Sequence, residues 1–357
     1  MRIVQLIDSL EAGGAERMAV NYANVLADKI EFSGLVTTRK EGPLLHQINS
    51  NVSYLFLAKE KQLDFGALFR LCSFVLKNKV THIHAHSTSF FIAFLLKLIY
   101  PSLKIIWHDH YGNNEFLMNR PYLALRLTAP FFKGVISVNR NLKKWSEKQL
   151  KAKNVIYLPN FPVKQITVVN HTVLMGADGK RIVSLANLRE QKNHFLLLEV
   201  AQRLKATNPD WTFHLVGKDF EDEYSSQIKK LIRDYGLETN VFLYGSKQDV
   251  ADILSQSDIA ILTSQSEGLP VALLEYGLYK KAVVVTNVGE IPTIVQHGKN
   301  GFITASNEPH LLYESLLNLI ENETLRTDFG KALFDTIEAN YTAESVIKKY
   351  LNWLQIS

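Results

Sequence analysis

Two glutamates, Glu267 and Glu275, bracket the run Gly268-Leu269-Pro270 just beyond the apolar stretch Ile259–Leu262. An ionised carboxylate offers two acceptor oxygens, which suits the paired hydroxyls of a sugar. Pro270 fits the start of a helix, where its missing N–H would be unpaired anyway. The spacing therefore predicts Glu267 in a loop holding a sugar and Glu275 inside a helix holding a ribose. A pyrophosphate would lie between them at the helix N-terminus. A second group, Asn187 to Asn193, follows the apolar run Arg181–Ala186 and carries Arg189 and Lys192. Cations at a helix start oppose the dipole, so Arg189 and Lys192 make better sense beside a bound diphosphate.

Two more loops have the right chemistry. His108 and His110 flank Asp109 at the end of Lys104–Trp107, placed for proton transfer or for hydrogen bonds to a substrate hydroxyl. His82, His84 and His86 alternate on a strand and so share a face. A metal there is conceivable, but no carboxylate or cysteine pattern accompanies them, so no metal is expected and packing or surface roles are. Near the N-terminus, Gly13-Gly14 separates a strand from a helix, allowing backbone to approach an anion closely. The run is not Gly-x-Gly-x-x-Gly, which argues against a dehydrogenase.

The elements that must position these loops alternate along the chain. Strands are expected at Ile3–Ile7, Phe32–Thr37, Ser53–Leu57, His82–Ala85, Lys104–Trp107, Gly134–Val138 and Val155–Leu158. Helices such as Ala15–Asp28, Phe65–Lys77 and Phe90–Ile99 lie between them. The rhythm repeats with strands at Arg181–Ala186, Thr212–Val216, Val241–Tyr244, Ile259–Leu262 and Ala282–Thr286. Continuously apolar strands imply burial on both faces, hence parallel sheets covered by helices. The fold class is α/β, with two doubly wound, Rossmann-like domains. Residues 1–163 form the first and 164–335 the second, with a linker around Asn160–Lys180. A terminal helix, 336–357, is expected to pack back on the first. Two such domains facing each other across a cleft would place ligands at the carboxyl ends of their strands.

At 357 residues and 46% hydrophobic content, the chain suits two globular domains and excludes disordered classes. One cysteine, Cys72, rules out an internal disulfide and fits a reducing compartment; it reads as a small buried hydrophobe. No secretory or transmembrane segment is expected, which points to the cytoplasm. Residues 1–163 carry 21 Lys+Arg against 11 Asp+Glu, a balance of +10, and the remaining 19 against 24 give −5. The basic helix Arg140–Lys153, with Trp145, would suit the anionic inner face of a membrane as a peripheral contact. No nucleic-acid module accompanies the charge, so nucleic acid is not an expected partner.

Glu267 through Glu275 resembles the signature of glycosyltransferase family 4, a retaining family with the GT-B fold. Gly13-Gly14-Ala15-Glu16-Arg17 resembles its glycine loop and Asn187–Asn193 its phosphate loop. Asn287-Val288-Gly289 with Gly298–Gly301 resembles its closing segment. The resemblance implies metal-independent transfer from a UDP- or GDP-sugar to a glycan or lipid-linked acceptor, as in surface polysaccharide assembly. It gives Glu267 the donor-sugar hydroxyls, Glu275 the ribose, Lys192 and Arg189 the diphosphate, and His108 or His110 the reacting sugar. The first domain would then bind the acceptor and the second the donor. Asn187 stands where the family usually has Arg, and Glu290 and Thr293 replace a common Gly and Glu. Those departures leave a non-catalytic partner subunit as one alternative; a nucleotide-sugar epimerase of the same fold is another.

Overall fold

The computed structural model describes residues 1–11, 13–164 and 172–356. The middle of the expected linker, residues 165–171, and Ala12 of the glycine loop lie outside the described residues. The chain divides into two compact units, Met1–Phe161 with Ala343–Ser357, and Pro162–Thr342.

The first unit holds β1 (Arg2–Ser9), β2 (Phe32–Lys40), β3 (Ser53–Phe56), β4 (His82–His86), β5 (Lys104–Asp109), β6 (Phe132–Ser137) and β7 (Val155–Tyr157). Their order is β3-β2-β1-β4-β5-β6-β7, and every described pairing is parallel. The second holds β8 (Arg181–Leu185), β9 (Thr212–Val216), β10 (Val241–Gly245), β11 (Ile259–Leu262), β12 (Ala282–Thr286) and β13 (Phe302–Thr304), in the order β10-β9-β8-β11-β12-β13. These pairings are also parallel. Strand β12, Ala-Val-Val-Val-Thr, is buried throughout, as burial on both faces requires. Strand β13 escaped the sequence pattern because three residues carry no period.

In each sheet the winding direction reverses beside the first strand, between β1 and β4 and between β8 and β11. Ligands in doubly wound sheets bind at such switch points, outside the carboxyl ends of the strands. Gly13 follows β1, His110 follows β5, Arg189 and Lys192 follow β8, and Glu267 follows β11. Within each unit, topology therefore sets the loops that the residue types had singled out at the carboxyl ends of that unit's own strands.

The last helix, Ala343–Ile356, is built into the first unit. The Tyr350 ring meets those of Tyr22 and His84 at 5.3 and 5.2 Å. Trp353 Nε1 donates to Asn154 Oδ1 at 2.8 Å, and its ring fills the space that any Cβ at Gly134 would enter. Helix Glu323–Asn340 runs through position 335 and stays with the second unit, because Leu333 and Ile337 are buried in that unit's core. Cys72 is half-buried at the edge of the first core.

One expectation is corrected. The basic helix spans Arg140–Gln149 and turns Trp145 inward, 8% exposed, beneath the Arg120 guanidinium at 4.1 Å. Leu142, Trp145 and Ser146 form the helix's sheet-facing stripe. Trp145 is thus a packing residue and not a membrane-interface anchor.

Candidate active site

In the second unit the loops after β8 and β11 are stitched together by backbone. Gln265 N donates to the Gln191 carbonyl at 2.8 Å, and Thr263 Oγ1 donates to that of Lys192 at 2.9 Å. Thr286 Oγ1, from β12, donates to the Ser264 carbonyl at 2.6 Å. This framework aims Lys192 at Glu267: Lys192 Nζ lies 2.6 Å from Glu267 Oε1, which also accepts from Ser264 Oγ at 2.6 Å. The Glu267 side chain is 6% exposed and that of Lys192 is 19% exposed. A charge-assisted pair with a third partner holds the carboxylate in one place.

Gly268, Leu269 and Pro270 are buried, and Pro270 caps helix Val271–Leu278. Glu275 lies inside that helix and is half-buried. The closing segment locks onto the loop. Glu290 N donates to the Gly268 carbonyl at 3.0 Å, and Thr293 Oγ1 donates to the Glu290 carbonyl at 2.7 Å. Gly289 has φ +57, and a Cβ there would lie 2.1 Å from the Glu267 carbonyl oxygen. Gly289→Ala is therefore expected to destabilise the unit by about 1–3 kcal/mol from φ alone, with the clash adding to it. Gly298→Ala shares the positive φ, +73, but meets nothing within 4 Å. Denaturant unfolding should show the smaller loss in Gly298→Ala, and equal losses would remove the clash argument.

Arg189 does not join the Lys192–Glu267 pair. Its guanidinium is exposed and stacks on Phe220 at 4.6 Å, a ring it shares with Lys218 Nζ at 5.2 Å. Asn187 Oδ1 accepts the Lys218 N–H at 2.8 Å, bracing the loops after β8 and β9 against each other. Sequence reasoning treated Asn187 as a missing cation; its role here is structural.

In the first unit, Gly13 is the extended cap of helix Gly14–Ala27. The Glu16 carboxylate lies over it, occupying the space of a Cβ at that position. An acidic group at a helix N-terminus suits the dipole. His108 is fully buried within β5, whereas His110 lies just past the strand's end and is half-buried. His84 Nε2 meets His108 Nδ1 at 3.0 Å, and His86 Nδ1 meets His110 Nε2 at 2.9 Å. His86 Nε2 meets Gln5 Oε1 at 2.9 Å. Burial, with mutual repulsion adding to it, pushes His84, His86 and His108 well below the ordinary imidazole range, and burial takes His110 to about 3. All four are neutral at pH 7.

Ring nitrogens of His84, His86 and His108 lie within 4.8 Å of one another, the spacing of a potential metal cluster. The rings do not converge as ligands would. His84 stacks on His86 and His108 at interplanar angles of 19° and 16°, and both nitrogens of His86 are engaged. The cluster reads as a buried polar stack that supports His110. The His-x-His spacing had marked His84 and His86 on one face, whereas Gln5 and Tyr22 were missed as members of the stack.

Models of known families match both units of the chain. The family model for glycosyltransferase family 4 matches residues 12–161, and that for glycosyl transferases group 1 matches residues 174–334. The chain is a family 4-like glycosyltransferase. An uncharacterized glycosyltransferase of Haemophilus influenzae is 27% identical over 325 residues, 88% of each chain. The capsular polysaccharide biosynthesis glycosyltransferase CapH of Staphylococcus aureus is 21% identical over 99% of each chain. Among solved structures, Anabaena HepE in complex with UDP and glucose superposes with a TM-score of 0.79 at 19% identity, covering 99% of each chain. That likeness gives the fold as GT-B, two Rossmann-like domains.

Proposed function

We propose that this glycosyltransferase moves a sugar from a UDP- or GDP-sugar, with retention at the anomeric carbon, to a glycan or lipid-linked acceptor in surface polysaccharide assembly. The observation that carries the reading is the Glu267 carboxylate, fixed by Lys192 and Ser264 at the switch point of the second sheet. In this reading Glu267 receives donor-sugar hydroxyls and Glu275 the ribose. Lys192 is the cation for the leaving diphosphate, with Arg189 swinging from Phe220 to help. Charge stabilisation by a positioned cation then replaces a metal. His110 is the histidine offered to the reacting sugar, because His108 is sealed within β5. A capsular polysaccharide relative, CapH, supports the pathway, and the likeness to HepE in complex with UDP and glucose supports the donor class. Work on a lipid-linked acceptor places the protein at the cytoplasmic face of a membrane.

A panel of nucleotide sugars read by thermal shift tests the donor. The right one is expected to raise Tm by about 5 °C at a hundredfold excess over Kd. A shift by no UDP- or GDP-sugar would refute the reading. NMR of the product should show the donor's anomeric configuration, unchanged by EDTA; inversion would overturn the retaining part.

A further inference from the structure

Ten of the sixteen large apolar side chains left exposed among the described residues lie between Leu63 and Phe131. Topology explains why they fall together. The connections β3 to β4, β4 to β5, β5 to β6 and β6 to β7 all cross the sheet in one direction. Right-handed crossovers then put helices Phe65–Lys77, Phe90–Ile99, Leu123–Thr128 and Arg140–Gln149 on one face. Contacts confirm the layer. The first two helices touch, Phe94 meets Phe131 at 5.0 Å, and Tyr122 meets Trp145 at 6.3 Å.

Buried Ala67, Leu68, Leu71 and Val75 turn one side of helix Phe65–Lys77 to the sheet. Its outer side nevertheless carries Phe65, Phe69 and Leu76, exposed by 70, 69 and 53%. Leu123 and Leu127, at 70 and 69%, and Phe131, at 41%, continue the surface. A solvated helix face does not need such side chains.

We propose that this helical layer is a docking surface for an anionic lipid bilayer. It deepens the membrane-side reading above and rests on it. Charge complementarity selects the occupant. No acidic residue occurs from Phe65 to His108, and residues 63–149, from the start of the apolar patch to the end of the fourth helix, hold twelve Lys+Arg against Asp64, Asp109, Glu115 and Glu147. Asp109 is buried in a bidentate pair with Arg120. Lys77, Arg126 and Lys144 are exposed on the same helices. Apolar side chains that enter the headgroup boundary, flanked by cations, are what interfacial binding to anionic lipid requires. A second copy of the chain fits less well, because a two-fold pairing would set the same cations against each other. Among the described residues no helix is long and apolar enough to cross a membrane, so the contact is with its surface.

The test is sedimentation of the full chain with vesicles of phosphatidylcholine alone or with 30% phosphatidylglycerol, roughly the anionic content the charge argument needs. Wild type is expected to bind the anionic vesicles and to be weakened by salt. The double variants Phe65→Ser/Phe69→Ser and Leu123→Ser/Leu127→Ser should each lose about tenfold or more in partitioning. Leu311→Ser, an exposed apolar site on the second unit, should lose nothing. Donor hydrolysis without acceptor, measured on the same samples, is expected to stay at wild-type rates in all variants. Wild-type partitioning by both double variants would overturn the proposal, as would equal binding to neutral vesicles or conversion of a wild-type dimer to monomer by either variant. Hydrolysis with no vesicle binding removes the docking surface alone, whereas failure of every UDP- and GDP-sugar to raise the wild-type Tm removes the proposed function on which it rests.

Discussion

Glu267→Gln is expected to lower the transfer rate by about 100- to 1000-fold while Tm changes little. Gln keeps the shape and one acceptor oxygen, so Lys192 Nζ and Ser264 Oγ retain their partner on this side chain. Only the charge is lost. Glu267→Ala is a poorer probe, since removing one member of a buried pair costs about 3–5 kcal/mol and confounds folding with catalysis. If Glu267 binds the donor sugar and Lys192 the diphosphate, the two act through one network. Lys192→Met should then cost a similar factor, and the double variant should cost much less than the product of the two. Steady-state kinetics on the four proteins decides it. Glu267→Gln with wild-type kcat/KM would end the assignment of Glu267, and strict additivity would separate the two residues into independent roles.

Local spacing made some of this site readable and long-range pairing hid the rest. Glu267 and Glu275 could be read because loop, cap and helix follow one another in a single stretch, each with its own residue signal. The Lys192–Glu267 pair joins positions 75 apart and exists because β8 and β11 are neighbours, which no local pattern states. Arg189 shows the converse: its type suggested an anion, but Phe220, on the loop after β9, decides where it rests. On β4 the alternation of His82, His84 and His86 predicted a shared face. What covers that face, Tyr22 and Tyr350 from opposite ends of the chain, was not legible. The same limit applied to Phe65, Phe69 and Leu76. Their residue types mark a helix with apolar side chains, but which of them the rest of the fold leaves uncovered is decided by the neighbouring helices.

The four-histidine stack makes acid the second large effect expected. His84, His86, His108 and His110 are packed with the uncharged groups of Gln5, Tyr22 and Tyr350, and burial holds all four neutral in the folded chain. In the unfolded chain they titrate near 6.5. Below about pH 6 the unfolded state therefore binds up to four protons that the folded state refuses. Stability falls wherever the unfolded state is the better proton acceptor and pH decreases. Each histidine contributes about 1.4 kcal/mol per pH unit, so four give about 5 kcal/mol per unit between the unfolded value and the depressed folded values. A domain holds only about 5–15 kcal/mol in total. The first unit should consequently remain fully stable above about pH 7 and unfold between roughly pH 6 and 5. Urea unfolding at fixed ionic strength from pH 7.5 to 5 measures the slope as a proton number. His84→Leu, which removes one of the four, should be less stable at pH 7.5 yet show a slope shallower by about one proton. A wild-type slope below one proton across that window would mean that the stack admits protons when folded, and the buried-neutral account of His110's support would fall with it.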